Sequence, residues 1–263
     1  IGGDAMDGRD GDGAVSKGEG WELRLGRWQD VLADVECDAL ITDPPYSERT
    51  HSGHDCFAHT EEAGPRDNRA RQRLGFRPVR ARIEYQSWSP TEARHFAIHW
   101  ADRCRGWVCI ITDHTLAPHY ADALESCGRY VFAPLPIVET GSRVRLSGDG
   151  PSSWTCWLIV SRPKSREFQT WGTLPGAYIG SGKGDREHVG GKDSGIMRAI
   201  IRDYTRPDDL VCDPCAGAAT TLLAAVSEGR RAIGSEMDPD TYAKAVKRLQ
   251  RGHTPPLFTD DLR

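Results

Sequence analysis

The sequence predicts a three-layer α/β fold with a mostly parallel sheet. Short apolar runs, among them 39–42 and 210–212, alternate with segments in which apolar residues recur at helical spacing. Two of these runs end in clusters of polar or small residues, as strands of open α/β sheets do where they hold ligands. The length of 263 residues suits one large domain, or one domain with a subdomain.

Strand and helix patterns follow one another along the chain. Residues 21–25 alternate in polarity as a strand does, and apolar residues at helical spacing follow between residues 28 and 35. Pro90 suits the first turn of a helix. We predict strands at 21–25, 37–42, 107–111, 130–132, 154–160, 210–212 and 231–235, and helices that cover 91–102, 119–126, 196–204 and 242–249.

Residues 39–46, Ala-Leu-Ile-Thr-Asp-Pro-Pro-Tyr, point to a chemistry. Asp43 offers only hydrogen-bond acceptors, and Pro44 and Pro45 each remove a backbone donor, so the loop presents oxygen atoms. Such a loop suits a planar group with an exocyclic amine, such as a nucleobase. Asp43 and the Pro44 carbonyl would accept its two N–H groups, while the ring of Tyr46 would stack on it. The tetrapeptide alone is equally compatible with a tight turn that ends a strand.

Residues 210–221 form a second strand that runs into a turn of small residues and then a helix. Small residues let a ligand approach the backbone, and the N-terminus of a helix attracts an anion such as a carboxylate. Glu236 follows the next predicted strand, where an acid suits ribose hydroxyl groups. The turn lacks the Gly-x-Gly-x-x-Gly pattern of nicotinamide dinucleotide sites.

The two stretches together resemble the β class of DNA amino-methyltransferases, in which an Asp-Pro-Pro-Tyr loop precedes the loop that binds S-adenosylmethionine. The resemblance extends from Trp21 to Leu249 and implies a Rossmann-like fold with circularly permuted motif order and an antiparallel hairpin at the sheet edge. It assigns catalysis to Asp43, Pro44, Pro45 and Tyr46. It assigns cofactor binding to Asp213, Cys215, Ala216, Gly217, Thr220, Glu236, Met237 and Lys192, the last by likeness to a His-Pro-x-x-Lys-Pro segment.

The sequence departs from the family pattern at several positions. Cys215 stands where the cofactor motif usually has Phe. Ala218 and Ala219 replace Ser and Gly, which restricts the backbone of the turn. Arg27 replaces an Asp that follows the first strand in the family, and residues 188–193 lack the family's prolines.

The resemblance implies transfer of a methyl group from S-adenosylmethionine to the exocyclic amino group of a flipped DNA base. The Asp-Pro-Pro-Tyr form of the motif favours adenine N6. Cytosine N4 or RNA as the acceptor, and a non-catalytic DNA-binding relative, are the alternatives. The family also implies double-stranded DNA as the partner, a restriction-modification setting and the cytoplasm of a bacterial or phage-infected cell, with a homodimer as one option.

The charge distribution limits where DNA can bind. A net charge of −4 does not attract DNA to the whole molecule, so a nucleic-acid surface must be local. An arginine-rich run within residues 66–82 contains one acid, Asp67. We assign phosphate contacts to Arg66, Arg69, Arg71, Arg73 and Arg77, with a solvated loop as the plain alternative.

Cysteine and histidine usage indicates a reduced protein without a metal. Eight cysteines without a compact framework suit reduced thiols, and Cys212 and Cys215 lie where packing is favoured over redox chemistry. The residues His51, His54, Cys56 and His59 could hold zinc, but their spacing matches no standard module, so we expect no metal. No apolar run is long enough to span a membrane.

The chain divides by composition. Residues 1–20 are rich in Gly and Asp and are expected to be disordered, residues 21–252 form the catalytic domain, and residues 253–263 form a mobile tail. Within the domain, 47–89 is an arginine-rich insert and 164–187 a short element in the place of a target-recognition region.

Overall fold

The computed structural model describes residues 13–50, 86–140, 154–180 and 192–252. In these ranges ten strands form one sheet. The strands are β1 (Val15–Gly18), β2 (Trp21–Leu25), β3 (Ala39–Thr42), β4 (Val108–Thr112), β5 (Tyr130–Val131), β6 (Leu135–Glu139), β7 (Thr155–Arg162), β8 (Tyr178–Gly180), β9 (Leu210–Asp213) and β10 (Arg231–Glu236). The helices are α1 (Trp28–Val31), α2 (Pro90–Arg103), α3 (Ala117–Ser126), α4 (Arg166–Gln169), α5 (Ser194–Tyr204), α6 (Thr220–Ser227) and α7 (Pro239–Arg251).

Parallel strands form the centre of the sheet. The strand order is β1-β2-β10-β9-β3-β4-β7-β6-β8, and β5 pairs with β7. The strands from β2 to β4 in this order are all parallel, whereas β7 runs antiparallel to β4, β5 and β6. The predicted α/β fold with a mostly parallel sheet and an antiparallel hairpin towards one edge is therefore confirmed.

Helices cover both faces of the sheet, which gives three layers. On one face, Ile41 and Cys109 belong to the same core as Ile200 of α5 and Leu222 of α6. On the other face, the neighbouring residues Leu40 and Val108 pack in a second core with side chains of α2 and α3, among them Phe96, Trp100, Tyr120 and Leu124. Because successive strand residues point to opposite faces, the continuous apolar runs of the sequence are those of strands buried on both sides.

The start of α2 shows how local chemistry sets an element boundary. The Ser89 side chain accepts a hydrogen bond from Glu92 N, and the Glu92 side chain accepts one from Ser89 N. This capping box satisfies two donors at the helix start, and Pro90 occupies a first-turn position that needs no donor. A cap of this kind stabilises a helix by about 1 kcal/mol.

Arg129 is a buried guanidinium that joins the end of α2 to the sheet. It is 6% exposed. Its nitrogens donate to the carbonyl oxygens of Ala101, Cys104 and Gly106 and to the Ser161 hydroxyl on β7. Burial lowers the pKa of Arg129. The contacts satisfy carbonyls at the C-terminal end of α2, where a cation is also favoured by the helix dipole.

The element at 164–187 contributes α4 and β8 to the described fold. Phe168 and Trp171 stack on each other with ring centroids 5.5 Å apart. Both also contact Trp107, which directly precedes β4. Because β4 is parallel to β3, this aromatic cluster lies at the opposite end of the strands from residue 43. These two aromatic residues therefore support the core.

The structure includes part of the predicted disordered segment at residues 1–20 and little of the arginine-rich insert. Disorder throughout residues 1–20 is wrong for Val15–Gly18, because this segment pairs with β2 in the sheet despite its small and polar composition. The tail at 253–263 and most of the arginine-rich insert lie outside the described residues, as do the zinc candidates and the five arginines assigned to phosphate contacts. No helix within the described ranges is long and apolar enough to cross a membrane.

Candidate active site at the carboxyl ends of β3 and β9

The sheet brings together two loops that are far apart in sequence. β3 and β9 are parallel neighbours with Ala39 opposite Val211 and Leu40 opposite Cys212. Both strands therefore end at the same edge, where the Asp43 loop (residues 43–46) meets the Gly217 turn (residues 214–219). Thr42 Oγ1 donates to Asp213 Oδ1 at 2.7 Å, a buried hydrogen bond that ties the two strand ends together.

Lys192 contacts both the Asp43 carboxylate and the Tyr46 hydroxyl of the Asp43 loop. Its Nζ lies 2.9 Å from Asp43 Oδ2, and it donates to the Tyr46 hydroxyl at 2.8 Å. The Lys192 side chain is 7% exposed. The resemblance assigned Lys192 to the cofactor, and the structure brings its ammonium group to the Asp43 loop. A charge-assisted contact of this kind fixes the orientation of the carboxylate.

The second oxygen of Asp43 is buried without a hydrogen-bond donor. Among the residues that the structure describes, none donates to Asp43 Oδ1. A buried acceptor that lacks a donor is costly, by about 1–3 kcal/mol, and is retained where a function uses it. The atom has the character of an acceptor for an N–H group that arrives from outside the protein.

Tyr46 is largely covered. It is 7% exposed, and its ring lies 5.0 Å from Lys192 Nζ. The structure places the ring in the same cluster as Asp43 and Lys192, as the motif predicts for a shared site. A base that stacks on Tyr46 must uncover one face of this ring.

The Gly217 turn adopts two left-handed backbone positions. Gly217 has φ +49°, and a Cβ added there would meet nothing within 4 Å, so this residue faces open space. Ala219 has φ 60° and ψ 33° at the N-cap of α6. Ala219, which stands where the family motif has glycine, is thus held in the left-handed conformation at a cost of about 1–2 kcal/mol.

Arg248 of α7 holds this turn in place and was not identified from the sequence. Its Nη1 donates to Ala218 O and to Thr220 Oγ1, each at 2.9 Å. On the other side of the turn, Ser235 Oγ donates to Pro214 O at 2.8 Å. No motif marks Arg248, because its role follows only from the packing of α7 beside the turn.

Glu236 and Met237 follow β10 beside the turn. Glu236 is half-buried, and burial raises the pKa of its carboxyl group in spite of hydrogen bonds from the backbone of Asp238 and Gly217. Met237 is 68% exposed, which is high for a methionine and leaves an apolar surface next to the acid. The pair offers an acceptor for hydroxyl groups and an apolar patch for a flat ring.

Three carboxylates converge on Cys215. Burial raises the pKa of the Cys215 thiol well above its usual range, and the charges of Asp213, Glu236 and Asp43 raise it further. Both strand ends therefore contribute negative charge to one pocket. The same effect makes Cys215 a poor thiolate, and Cys212 is fully buried with a raised pKa. A redox role for this Cys-x-x-Cys pair is therefore disfavoured, and the seven described cysteines are free.

Asp213 carries a stability cost at neutral pH. Burial raises its pKa to about 6, against hydrogen bonds from Thr42, Thr221 and the Cys215 amide, which lower it. Since the folded pKa lies above the unfolded value of about 3.9, the ionised group destabilises the fold above pH 6 by about 3 kcal/mol. The penalty disappears as pH falls from 6 towards 4.

Asp213→Asn should therefore stabilise the protein at pH 8 by up to about 3 kcal/mol, because an amide keeps the shape without the charge. The gain should shrink to about half at pH 5, where the wild-type carboxyl is already protonated in the folded state. Urea unfolding at both pH values measures this difference. The exposed carboxylate variant Asp240→Asn is the control, and an equal gain at both pH values would refute the pKa assignment.

The protein has a Rossmann-like α/β fold, with the Asp43 loop ahead of the Gly217 turn in the chain. Residues 145–247 match the N6_N4_Mtase family model, which describes a DNA methylase. The chain is therefore similar to this family over the matched residues, and its fold is similar to that of solved DNA methyltransferases. The matched residues include Lys192, the Gly217 turn and Glu236, whereas the Asp43 loop lies outside them.

Two curated proteins resemble part of the chain. The type II methyltransferase M.HindIII of Haemophilus influenzae is 42% identical over 62 residues, which are 24% of this chain and 20% of that protein. YhdJ of Escherichia coli, a DNA adenine methyltransferase, is 34% identical over 62 residues, which are 24% of this chain and 21% of that protein. The chain thus aligns with about a fifth of the length of each.

Solved structures share the fold over most of their length. The M1.HpyAVI–SAM complex superposes with a TM-score of 0.60 and 20% identity, covering 87% of this chain and 98% of that one. The cytosine-N4-specific PvuII DNA methyltransferase superposes with a TM-score of 0.58 and 14% identity, covering 96% of this chain and 92% of that one. At these identities the likeness concerns the fold.

Proposed function

We propose that the protein transfers a methyl group from S-adenosylmethionine to the exocyclic amino group of a base in double-stranded DNA, with adenine N6 as the preferred acceptor. The observation that carries the proposal is the state of Asp43. One of its oxygens is held by Lys192, and the other is buried and receives no hydrogen bond from any residue in the described part of the chain.

Asp43 Oδ1 is the acceptor for one N–H of the base, and the Pro44 carbonyl is the acceptor for the other. An exocyclic amine is a weak nucleophile because its lone pair is delocalised into the ring, so orientation contributes more than a strong base. Pro45 keeps further backbone donors out of the loop. Lys192 fixes the carboxylate from the side of Oδ2.

The residues around the Gly217 turn suit S-adenosylmethionine. When bound, this cofactor supplies an electrophilic methyl group on a positively charged sulfur. The negative charges of Asp213 and Glu236 favour a positively charged ligand beside the turn. Glu236 suits the ribose hydroxyls, and Met237 suits the adenine ring. Gly217 leaves room for the ligand. The start of α6, with Thr220, suits the carboxylate of the ligand. Cys215 and Ala216 line the same turn.

Access to Asp43 requires the base to leave the DNA stack. Tyr46 is the residue we assign to stacking on the flipped base, an interaction worth roughly 1–3 kcal/mol per base. The insert that begins after this loop contains Arg66, Arg69, Arg71, Arg73 and Arg77, and we assign them to the DNA phosphates.

Adenine is preferred because the loop reads Asp-Pro-Pro-Tyr, which resembles the adenine-N6 enzymes of the family, and because YhdJ is a DNA adenine methyltransferase. The fold of the PvuII cytosine-N4 enzyme is also similar, so cytosine N4 is the second candidate. Both acceptors present a planar ring with an exocyclic amine, and the same residues would serve each.

The experiment is incubation of the purified protein with methyl-labelled S-adenosylmethionine and mixed-sequence double-stranded DNA, with RNA in parallel. The nucleic acid is then digested and the labelled nucleoside identified. We expect label in N6-methyldeoxyadenosine. Label in N4-methyldeoxycytidine would correct the base, and label in RNA alone would correct the substrate. Cofactor binding without any transfer would indicate a non-catalytic relative.

Glu236→Ala should weaken S-adenosylmethionine binding by about 1.5–3 kcal/mol, because charge-assisted hydrogen bonds to the ribose would be lost. Isothermal titration calorimetry measures the affinity. Glu125→Ala, an exposed acid on α3, is the control. An unchanged affinity for Glu236→Ala would remove this residue from the cofactor site.

A further inference from the structure

Asp113 is a buried carboxylate that connects the end of β4 to the residues after Tyr46. It is 6% exposed. Its Oδ1 accepts hydrogen bonds from the amides of Thr115 and Leu116, each at 3.0 Å, just before α3 begins. Its Oδ2 accepts from Ser47 N at 2.9 Å, Ser47 Oγ at 2.5 Å and Thr50 Oγ1 at 2.6 Å. One side chain thus joins a helix start and the Ser47 segment (residues 47–50).

The chemistry of this contact requires an ionised carboxylate. All five groups that face Asp113 in these contacts are N–H or O–H donors. Burial alone would raise the pKa of Asp113, but hydrogen bonds from Ser47, Thr50 and backbone amides lower it below its usual value. A carboxylate accepts on both oxygens, whereas an amide of the same shape would present a donor to one side.

The Ser47 segment and the adjoining Tyr46 also have hydrogen bonds with residues 87 and 88. Trp88 N donates to Tyr46 O at 3.0 Å, and the Ser87 hydroxyl donates to the Glu48 carboxylate at 2.7 Å. Tyr46 therefore lies between two fixed points: its own hydroxyl is bound by Lys192, and the next residue is bound by Asp113. The contacts leave the Asp43 loop little freedom to shift along the strand direction.

We propose that Asp113 is a positioning residue for the Asp43 loop. By accepting hydrogen bonds from Ser47 and Thr50, Asp113 keeps Asp43 and Tyr46 aligned with the Gly217 turn. The inference rests on the proposed methyl transfer for its effect on rate, and on the hydrogen bonds alone for its effect on loop mobility. Alignment within fractions of an ångström is what a weak nucleophile demands, since small misplacements cost large factors in rate.

Asp113→Asn tests the hydrogen bonds with the Ser47 segment separately from those with the amides before α3, which we call the helix cap. The Asn oxygen can still accept from the Thr115 and Leu116 amides, while its amide nitrogen then faces the Ser47 N–H. The double variant Ser47→Ala, Thr50→Ala removes two donors from the other side and leaves the cap untouched. Asp122→Asn, an exposed carboxylate on α3, is the matched control.

Two measurements decide the outcome. Hydrogen–deuterium exchange should become faster in peptides that cover residues 43–50 in both Asp113→Asn and the Ser47/Thr50 double variant, and not in Asp122→Asn. Single-turnover methyl transfer should slow by about tenfold or more, with S-adenosylmethionine affinity close to wild type. The double variant should also lose some stability, because Asp113 Oδ2 loses two donors, so the rates are compared well below its Tm. This separation of rate from affinity is not expected of a residue that only stabilises the fold.

The result that would overturn the inference is unchanged exchange in residues 43–50, which would make Asp113 a helix cap alone. Faster exchange with a wild-type transfer rate would also overturn it, because loop alignment would then not matter. If Asp113→Asn fails to fold, the double variant decides. If the wild-type protein transfers no methyl group, the proposed function fails, and the exchange measurement still tests the grip on the loop.

Discussion

Asp43→Asn should lower the rate of methyl transfer by about 10²-fold or more, similar to the loss of one well-placed electrostatic contact. The structure gives a specific reason. Lys192 Nζ lies 2.9 Å from Asp43 Oδ2, so the amide would turn its oxygen towards this cation. Its nitrogen would then take the place of Oδ1, a buried acceptor to which no residue of the described ranges donates. A donor would face the N–H groups of the incoming base.

Single-turnover kinetics with saturating cofactor and DNA isolates this effect. Cofactor affinity should change little, because Asp213, Gly217 and Glu236 are not altered. Asp34→Asn, a carboxylate whose side chain is 75% exposed, is the control for a change of charge alone. If Asp43→Asn transfers methyl groups at the wild-type rate, the tetrapeptide is a strand-ending turn and the proposed function fails.

Arg129→Met should lower the free energy of unfolding by about 3 kcal/mol. The thioether fills similar volume but leaves the carbonyls of Ala101, Cys104 and Gly106 without donors, and each unsatisfied buried acceptor costs about 1–3 kcal/mol. The lowered pKa of Arg129 shows that burying its charge is unfavourable. Removing this charge therefore offsets part of the loss. For a protein of this size the change corresponds to a fall in Tm of roughly 6–12 °C.

Thermal and urea unfolding measure the effect of Arg129→Met. The matched control is Arg105→Met, where the side chain is 62% exposed and pairs with Asp38 on the surface. A surface ion pair contributes about 0–1 kcal/mol, so this control should change Tm little. Equal shifts in the two variants would mean that the buried guanidinium does not hold α2 to the sheet.

Local sequence patterns predict most of this fold because most of its strands and helices are marked by the polarity of neighbouring residues. Alternating apolar runs and helical periodicity locate the central strands and the helices that cover them, and the Ser89–Glu92 capping box marks a helix start within two residues of the predicted one. β1 was missed because its composition resembles a linker. Its place in the sheet depends on pairing with β2, which a local pattern does not contain.

The candidate site also combines local motifs, which the sequence reveals, with long-range contacts, which it does not. The Asp43 loop and the Gly217 turn are contiguous motifs, and the sheet places them side by side as their positions at strand ends predict. The contacts of Lys192, Asp113 and Arg248 are pairings between residues distant in sequence, fixed by strand order and helix packing. The resemblance assigns Lys192 to the cofactor, and its contact with Asp43 is not contained in any local motif. Asp113 and Arg248 carry no motif, so their roles emerge only from tertiary structure.

The position of β10 has a consequence for how the protein is made. β10 lies between β2 and β9, and in the described sheet it is the strand that joins the β1–β2 hairpin to the rest. A ribosome releases β3 and the Asp43 loop long before Lys192, the Gly217 turn and Glu236. The growing chain therefore carries the Asp43 loop before the Gly217 turn exists, and β2 lacks its partner β10 until late in synthesis. Such long-range pairing slows folding, and the proposed methyl transfer should become possible only after β10 is synthesised.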